Sequence, residues 1–217
     1  MPVAIKFCGL TRARDAEKAV QLGASYLGVI FAGGPRQLDA QQARGVLAPS
    51  QGTSLASVGV FGSQAPDEIA RAAEQAGLKV IQMHGDPSAE VIDDVRRLTG
   101  AVVWGVARIA GGELPPGHAE LFAAADGVVL DSRVSGALGG SGTTFDWLAV
   151  RDGIRALGNG RPIILAGGLT PENVEAGIRA IRPDVVDVSS GVETRVGEKD
   201  HSRMAAFVLA ARSPIAP

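Results

Sequence analysis

A single thiol, a strand-end carboxylate, one arginine and three glycine turns are the groups in this chain whose types and places suit chemistry. Cys8 is the only cysteine, and it ends the run Val3-Ala4-Ile5-Lys6-Phe7 just before Gly9. Asp131 ends a second apolar run, Gly127-Val128-Val129-Leu130. A thiol and a carboxylate on well-separated strands can flank a small substrate, one removing a proton and the other donating one. Each has a plainer reading as well. Free cysteine is often a small buried apolar residue, and a carboxylate at a strand end can cap the next turn. Arg36 follows Gly33-Gly34-Pro35. It is either a solvated surface arginine or a planar fork for a substrate carboxylate.

The glycine turns are Gly140-Ser141-Gly142, Ala166-Gly167-Gly168 and Ser189-Ser190-Gly191. Glycine lets backbone N–H groups approach an anion closely, and a helix N-terminus adds a favourable field. Taken singly, each is equally a tight turn that needs positive φ. Together they read as a phosphate cradle, with Gly142, Gly167, Gly168, Ser190 and Gly191 as its contacts. No lysine or arginine lies in the latter two turns, so backbone amides must do the binding there.

The elements that position these groups alternate strictly. Apolar runs at 3–7, 24–31, 55–61, 79–85, 101–107, 126–131, 162–165 and 184–189 read as strands. Helical patterns follow at 12–22, 39–47, 65–76, 87–98, 117–124, 147–156, 171–181 and 201–212. Eight βα units with short loops imply an α/β fold with an all-parallel sheet. An open doubly wound sheet has the same alternation, but its glycine fingerprint follows the first strand. Here the glycine-rich loops follow strands 6, 7 and 8. That placement predicts a single-domain (β/α)8 barrel over 1–217, with the site at the strands' C-terminal ends.

Side chains alternate across a strand, so Val3, Ile5 and Phe7 share one face and Ala4, Lys6 and Cys8 the other. The inward lysine needs a partner, because buried charges are seldom unpaired. Asp187 shares a face with Ser189 on strand 8, which neighbours strand 1 once a barrel closes. A Lys6–Asp187 ion pair is therefore expected beneath the site. His84 shares a face with Gln82 and carries no assigned role. His118 and His201 fall in polar stretches and read as solvent-facing.

Composition excludes several classes. Net charge is −2, from 21 basic and 23 acidic residues, and aromatics make up 4%. No basic block or stacking platform for nucleic acid stands out. No run reaches membrane-spanning length, and Met1-Pro2-Val3 leads straight into a strand without a signal peptide. One cysteine excludes an internal disulfide, and no cluster has zinc-ligand spacing. The expectation is a cytoplasmic protein with a small-molecule partner and no obligatory protein partner evident.

Several segments together resemble phosphoribosylanthranilate isomerase of tryptophan biosynthesis, across nearly the whole chain. They are Ile5-Lys6-Phe7-Cys8-Gly9-Leu10-Thr11, Gly59-Val60-Phe61, Ile81-Gln82-Met83-His84-Gly85, Leu130-Asp131-Ser132, Gly140-Ser141-Gly142 with Phe145-Asp146-Trp147, Leu165-Ala166-Gly167-Gly168-Leu169 and Val186-Asp187-Val188-Ser189-Ser190-Gly191-Val192-Glu193. The first and last are the specific ones, and Gly197 and Lys199-Asp200 complete the pattern. The resemblance implies a (β/α)8 barrel and a cofactor-free, metal-free Amadori rearrangement of N-(5-phosphoribosyl)anthranilate, an aldose–ketose isomerisation. It places the general base on Cys8, the general acid on Asp131 and the carboxylate-binding arginine on Arg36. Phe7 replaces a more usual isoleucine, and Gly34 stands where a serine commonly precedes the Pro-Arg pair. Two rivals remain: the half-barrel-repeat isomerase of histidine biosynthesis, which uses paired aspartates, and a non-catalytic phosphate-binding barrel.

Overall fold

The computed structural model describes residues 2–132, 144–157 and 160–213. Eight strands, β1 (Ala4–Phe7), β2 (Tyr26–Ile30), β3 (Ala56–Phe61), β4 (Val80–Met83), β5 (Val102–Ile109), β6 (Gly127–Ser132), β7 (Ile163–Leu165) and β8 (Val185–Val188), form a closed barrel in sequence order. All neighbours run parallel, and β8 pairs with β1. Each strand is followed by a helix: α1 (Ala13–Gln21), α2 (Ala40–Leu47), α3 (Pro66–Ala76), α4 (Ala89–Thr99), α5 (His118–Ala124), α6 (Trp147–Leu157), α7 (Val174–Ile181) and α8 (His201–Ala211). Ring closure removes the free sheet edges of the open alternative.

Strand parity divides the apolar residues into two cores. Val58, Val80, Trp104, Val106, Val129, Ile164, Ala166 and Val185 fill the barrel, with Ala4, Tyr26 and Ala56 against them. The opposite faces, including Ile5, Phe7, Leu27, Ile81, Val128, Leu130 and Val186, meet the helices. The inward face of β1 thus carries Ala4 and Lys6 toward Cys8, as the alternation requires.

Local chemistry sets the helix starts. Asp39 accepts the Gln42 N–H at 2.8 Å, and the Gln42 side chain accepts the Asp39 N–H, a reciprocal cap on α2. Asp200 accepts from Ser202 and Arg203 at the start of α8. α7 begins later than the sequence pattern suggests. Asn173 takes the Thr170 N–H on its side-chain oxygen, which keeps Thr170-Pro171-Glu172 in a turn. β5 runs two residues past its expected end, because Arg108 and Ile109 pair with Asp131 and Ser132.

One element is new. β9 (Glu193–Arg195) and β10 (Glu198–Lys199) form an antiparallel hairpin between β8 and α8. No described helix is long and apolar enough to cross a membrane.

Candidate active site

The C-terminal ends of the strands surround a cavity of about 380 Å³ lined by Cys8, Arg36, Asp131, Gly167, Gly168 and Ser190, among others. Gly191, in the same turn as Ser190, packs on the Leu169 carbonyl, where a Cβ would collide with it. The Gly140-Ser141-Gly142 turn lies outside the described residues.

Cys8 follows β1 directly and is 7% exposed. Gly28, on β2, makes room for it. A Cβ at residue 28 would lie 3.0 Å from the Cys8 sulfur and 3.2 Å from Lys6 Cε. Beneath the thiol, the Lys6 ammonium donates to Asp187 Oδ2 at 2.7 Å, so the ion pair expected from strand parity is present. The β1–β8 register sets Lys6 beside Asp187. Burial works against the Lys6 charge, but Asp187 and Cys8 outweigh it and hold its pKa above the ordinary lysine value. Burial pushes the Cys8 thiol up from its ordinary 9.0; Lys6 pulls it down, and Asp187 pushes it up. The thiolate-favouring influence of Lys6 is therefore real but smaller than the burial that opposes it.

Asp131 lies near the end of β6, 8% exposed. Burial first, and then the Asp187 charge, raise its carboxyl from 3.8 to about 6. The turn after β7 presses on it. A Cβ at Gly167 would fall 2.5 Å from the Ser132 nitrogen and 2.7 Å from Asp131 Oδ1. His84 Nε2 lies 3.9 Å from Asp131 Oδ2. Burial and the nearby Arg108 lower the His84 pKa to about 4, so the imidazole is neutral at pH 7. His84 and Gln82, to which the sequence assigns no role, line the cavity. Their shared face on β4 was the available signal.

The glycine turns are braced from behind. In a trans peptide the C=O and N–H point in opposite directions. Lys199 Nζ holds the Ser189 carbonyl at 3.1 Å, which turns the Ser190 N–H the other way. Asn173 Nδ2 holds the Gly168 carbonyl at 2.9 Å and does the same for the Leu169 N–H. Gly167 and Gly168 have φ of 75° and 67°, and among the described residues nothing accepts the Gly168 N–H. Basic groups do stand behind the β8 turn: Arg203 Nε also donates to the Gly191 carbonyl at 3.0 Å.

Arg36 is not a solvated surface residue. It lines the cavity, but its Nε and Nη2 already donate to the two oxygens of Glu193, at 2.9 and 2.6 Å. Gly33 and Gly34, at φ 93° and 87°, make the turn before it. A serine at 34 would be strained there. His201 is also more than solvent-facing, since its Nε2 lies 2.9 Å from the buried Asp15 carboxylate.

A family model described as N-(5'phosphoribosyl)anthranilate (PRA) isomerase matches residues 5–210. The chain belongs to this family. It is an isomerase that converts N-(5'-phosphoribosyl)anthranilate in tryptophan biosynthesis. Among N-(5'-phosphoribosyl)anthranilate isomerases, that of Pseudomonas fluorescens (strain Pf0-1) is 38% identical over 208 residues, covering 95% of this chain and 97% of its own. The crystal structure of the phosphoribosyl anthranilate isomerase of Thermotoga maritima superposes with a TM-score of 0.86 at 28% identity, over 98% of this chain and 100% of its own. A phosphoribosyl anthranilate isomerase solved in complex with reduced 1-(o-carboxyphenylamino)-1-deoxyribulose 5-phosphate superposes at 0.82, with 28% identity and the same coverage. The family assignment removes the non-catalytic rival.

Proposed function

We propose that Cys8 and Asp131 are the general base and general acid of the isomerisation, that Arg36 binds the anthranilate carboxylate, and that the turns after β7 and β8 bind the phosphate. In this reading Asp131 protonates the furanose ring oxygen, and the ring opens to the Schiff base. Cys8, as thiolate, takes the proton from C2 of the sugar to give the enolamine. Ketonisation returns a proton to C1 and gives the 1-deoxyribulose product. What carries the reading is one juxtaposition: a thiol on β1 and a carboxyl on β6 face one cavity, and burial keeps that carboxyl protonated up to about pH 6.

Two further acceptors support a polyhydroxylated substrate. Gln82 Oε1 and Asp187 Oδ1 are buried without a hydrogen-bond partner among the described residues, and both side chains line the cavity. A buried acceptor left unpaired is costly, and sugar hydroxyls would satisfy these two. By the same reading the chain is one catalytic domain, works in the cytoplasm with its thiol free, and takes a phosphorylated small molecule rather than nucleic acid.

The test is turnover of fluorescent phosphoribosylanthranilate by Cys8→Ser and Asp131→Asn. Each should lower kcat by roughly 10²–10⁴-fold, the usual scale of a lost acid or base. Affinity for a reduced product analogue should change little, because both roles belong to the transition state. Near-wild-type turnover by either variant would refute its assignment.

A further inference from the structure

Arg36 reaches the cavity with two of its five donors already spent. Its Nε and Nη2 are held by the Glu193 carboxylate, while the Nη1 edge makes no hydrogen bond among the described residues. A guanidinium has five N–H donors and two usable edges, so one carboxylate on the first edge leaves the second for a ligand. Glu193 is itself pinned. Lys199 Nζ donates to its Oε1 at 2.8 Å and to the Ser189 carbonyl at 3.1 Å. The side chains of Arg36, Glu193 and Lys199 are 13%, 5% and 0% exposed. The arm of Arg36 packs closely against Gly9, where a Cβ would lie 2.8 Å from both the Arg36 Cδ and the Ser189 Oγ.

We propose that Glu193, backed by Lys199, is a positioning residue that orients the Arg36 fork for the substrate's carboxylate. This rests on Arg36 being the carboxylate ligand. The hairpin of β9 and β10 supplies both Glu193 and Lys199, so it is part of the substrate site rather than a connection to α8. The alternative, that Glu193 occupies the fork and leaves when substrate arrives, would strand a buried Lys199 beside an emptied pocket. Arginine is a flexible chain, and fixing it before the ligand arrives removes an ordering cost from binding. Burial pushes the Glu193 carboxyl up, but Arg36 and Lys199 together hold it below the usual range, so it stays an acceptor.

The experiment compares affinities for two probes, the reduced product analogue and its counterpart lacking the carboxylate. It uses wild type, Arg36→Ala, Glu193→Ala and Glu193→Gln. Arg36→Ala should abolish the preference for the carboxylated probe. Glu193→Ala should reduce that preference about tenfold, within the range for coupled neighbours, with KM rising more than kcat falls. Glu193→Gln, which keeps one acceptor oxygen, should fall between. If Arg36→Ala keeps the preference, Arg36 is not the carboxylate ligand. If Arg36→Ala loses it and both Glu193 variants keep it, only the positioning role is overturned. Tighter binding of the carboxylated probe by the Glu193 variants would overturn it too, because Glu193 would then be a competitor. A readout on wild type needs no variant to fold. The Arg36 Nε–H resonance should keep its hydrogen-bonded shift when the carboxylated probe binds, and loss of that shift refutes the proposal.

Discussion

The pKa order of the proposed acid–base pair decides which residue owns which limb of the pH profile. In the proposed roles, an acid that must be protonated has its carboxyl at about 6, and a base that must be deprotonated has its thiol raised from 9.0 by burial. The groups are poised in reverse. The thiol's pKa lies well above the carboxyl's, so only a small fraction of free enzyme carries thiolate and carboxylic acid together. The fraction grows tenfold per pH unit below about 6, because thiolate increases while Asp131 stays protonated. It is flat between the two values, where one gain offsets the other loss. It falls above the thiol's pKa. The acid limb of kcat/KM, which reports the free enzyme, therefore belongs to Asp131 and the alkaline limb to Cys8. The perturbation that decides this is Asp131→Asn, assayed for residual turnover by loss of substrate fluorescence from about pH 5 to 10 at substrate well below KM. With the carboxyl gone, only thiolate formation is left. The break near 6 should vanish, and the rate should climb through it up to the thiol's own pKa. If the variant keeps a break near 6, that limb is the thiol's, and burial does not dominate Cys8 as the geometry demands.

Other outcomes follow from the same contacts. Raising the Asp131 carboxyl from 3.8 to about 6 costs the fold about 2.2 × 1.36, or ~3 kcal/mol, once pH exceeds 6. The penalty is absent below 3.8 and grows between the two values, so Asp131→Asn should unfold at a higher temperature than wild type at pH 7 and at the same temperature near pH 3.5. Lys6→Met leaves Asp187 buried without its cation and should cost on the order of 3–5 kcal/mol in urea unfolding; a loss under 1 kcal/mol would mean the pair is dispensable. Gly168→Val forces a β-branched residue into a φ of 67° and should weaken phosphate-bearing ligands while inorganic-phosphate-free unfolding shows a retained fold; unchanged ligand affinity would clear this turn of phosphate binding. Arg36→Ala should cost roughly 2–5 kcal/mol in affinity for the reduced product analogue, as for a desolvated charged contact; calorimetry showing no loss would mean that Arg36 does not hold the carboxylate.

The barrel was readable because its signals are long and repeated. Eight apolar runs spaced by helical patterns leave little else to build, and strand parity alone put Lys6 against Asp187. Cys8 and Asp131 could be placed at one cavity because each lies at the C-terminal end of a strand, where a parallel barrel gathers its chemistry. The hairpin was not readable. Strands of three and two residues are too short to show alternation, so Glu193 and Lys199 looked like the tail of a motif. Arg36 could be named from its neighbours, but its bond to Glu193 links residues 157 positions apart and leaves no local trace. A sequence shows that Lys6 is near Cys8 but not how completely both are dried, so the burial that outweighs Lys6 at the thiol left no trace there.

The Lys6–Asp187 pair lies at the seam where the ring of strands closes. The ribosome makes Lys6 181 residues before Asp187. Until β8 emerges, β1 has a neighbour on one side only, and its lysine has no inward counter-charge. A chain that stops before β8 lacks the pair beneath Cys8, and its Arg36 lacks Glu193. Both supports arrive within the same short stretch of synthesis, between Asp187 and Lys199. The stretch from Asp187 to Lys199 is therefore the one that completes the supports of the pocket.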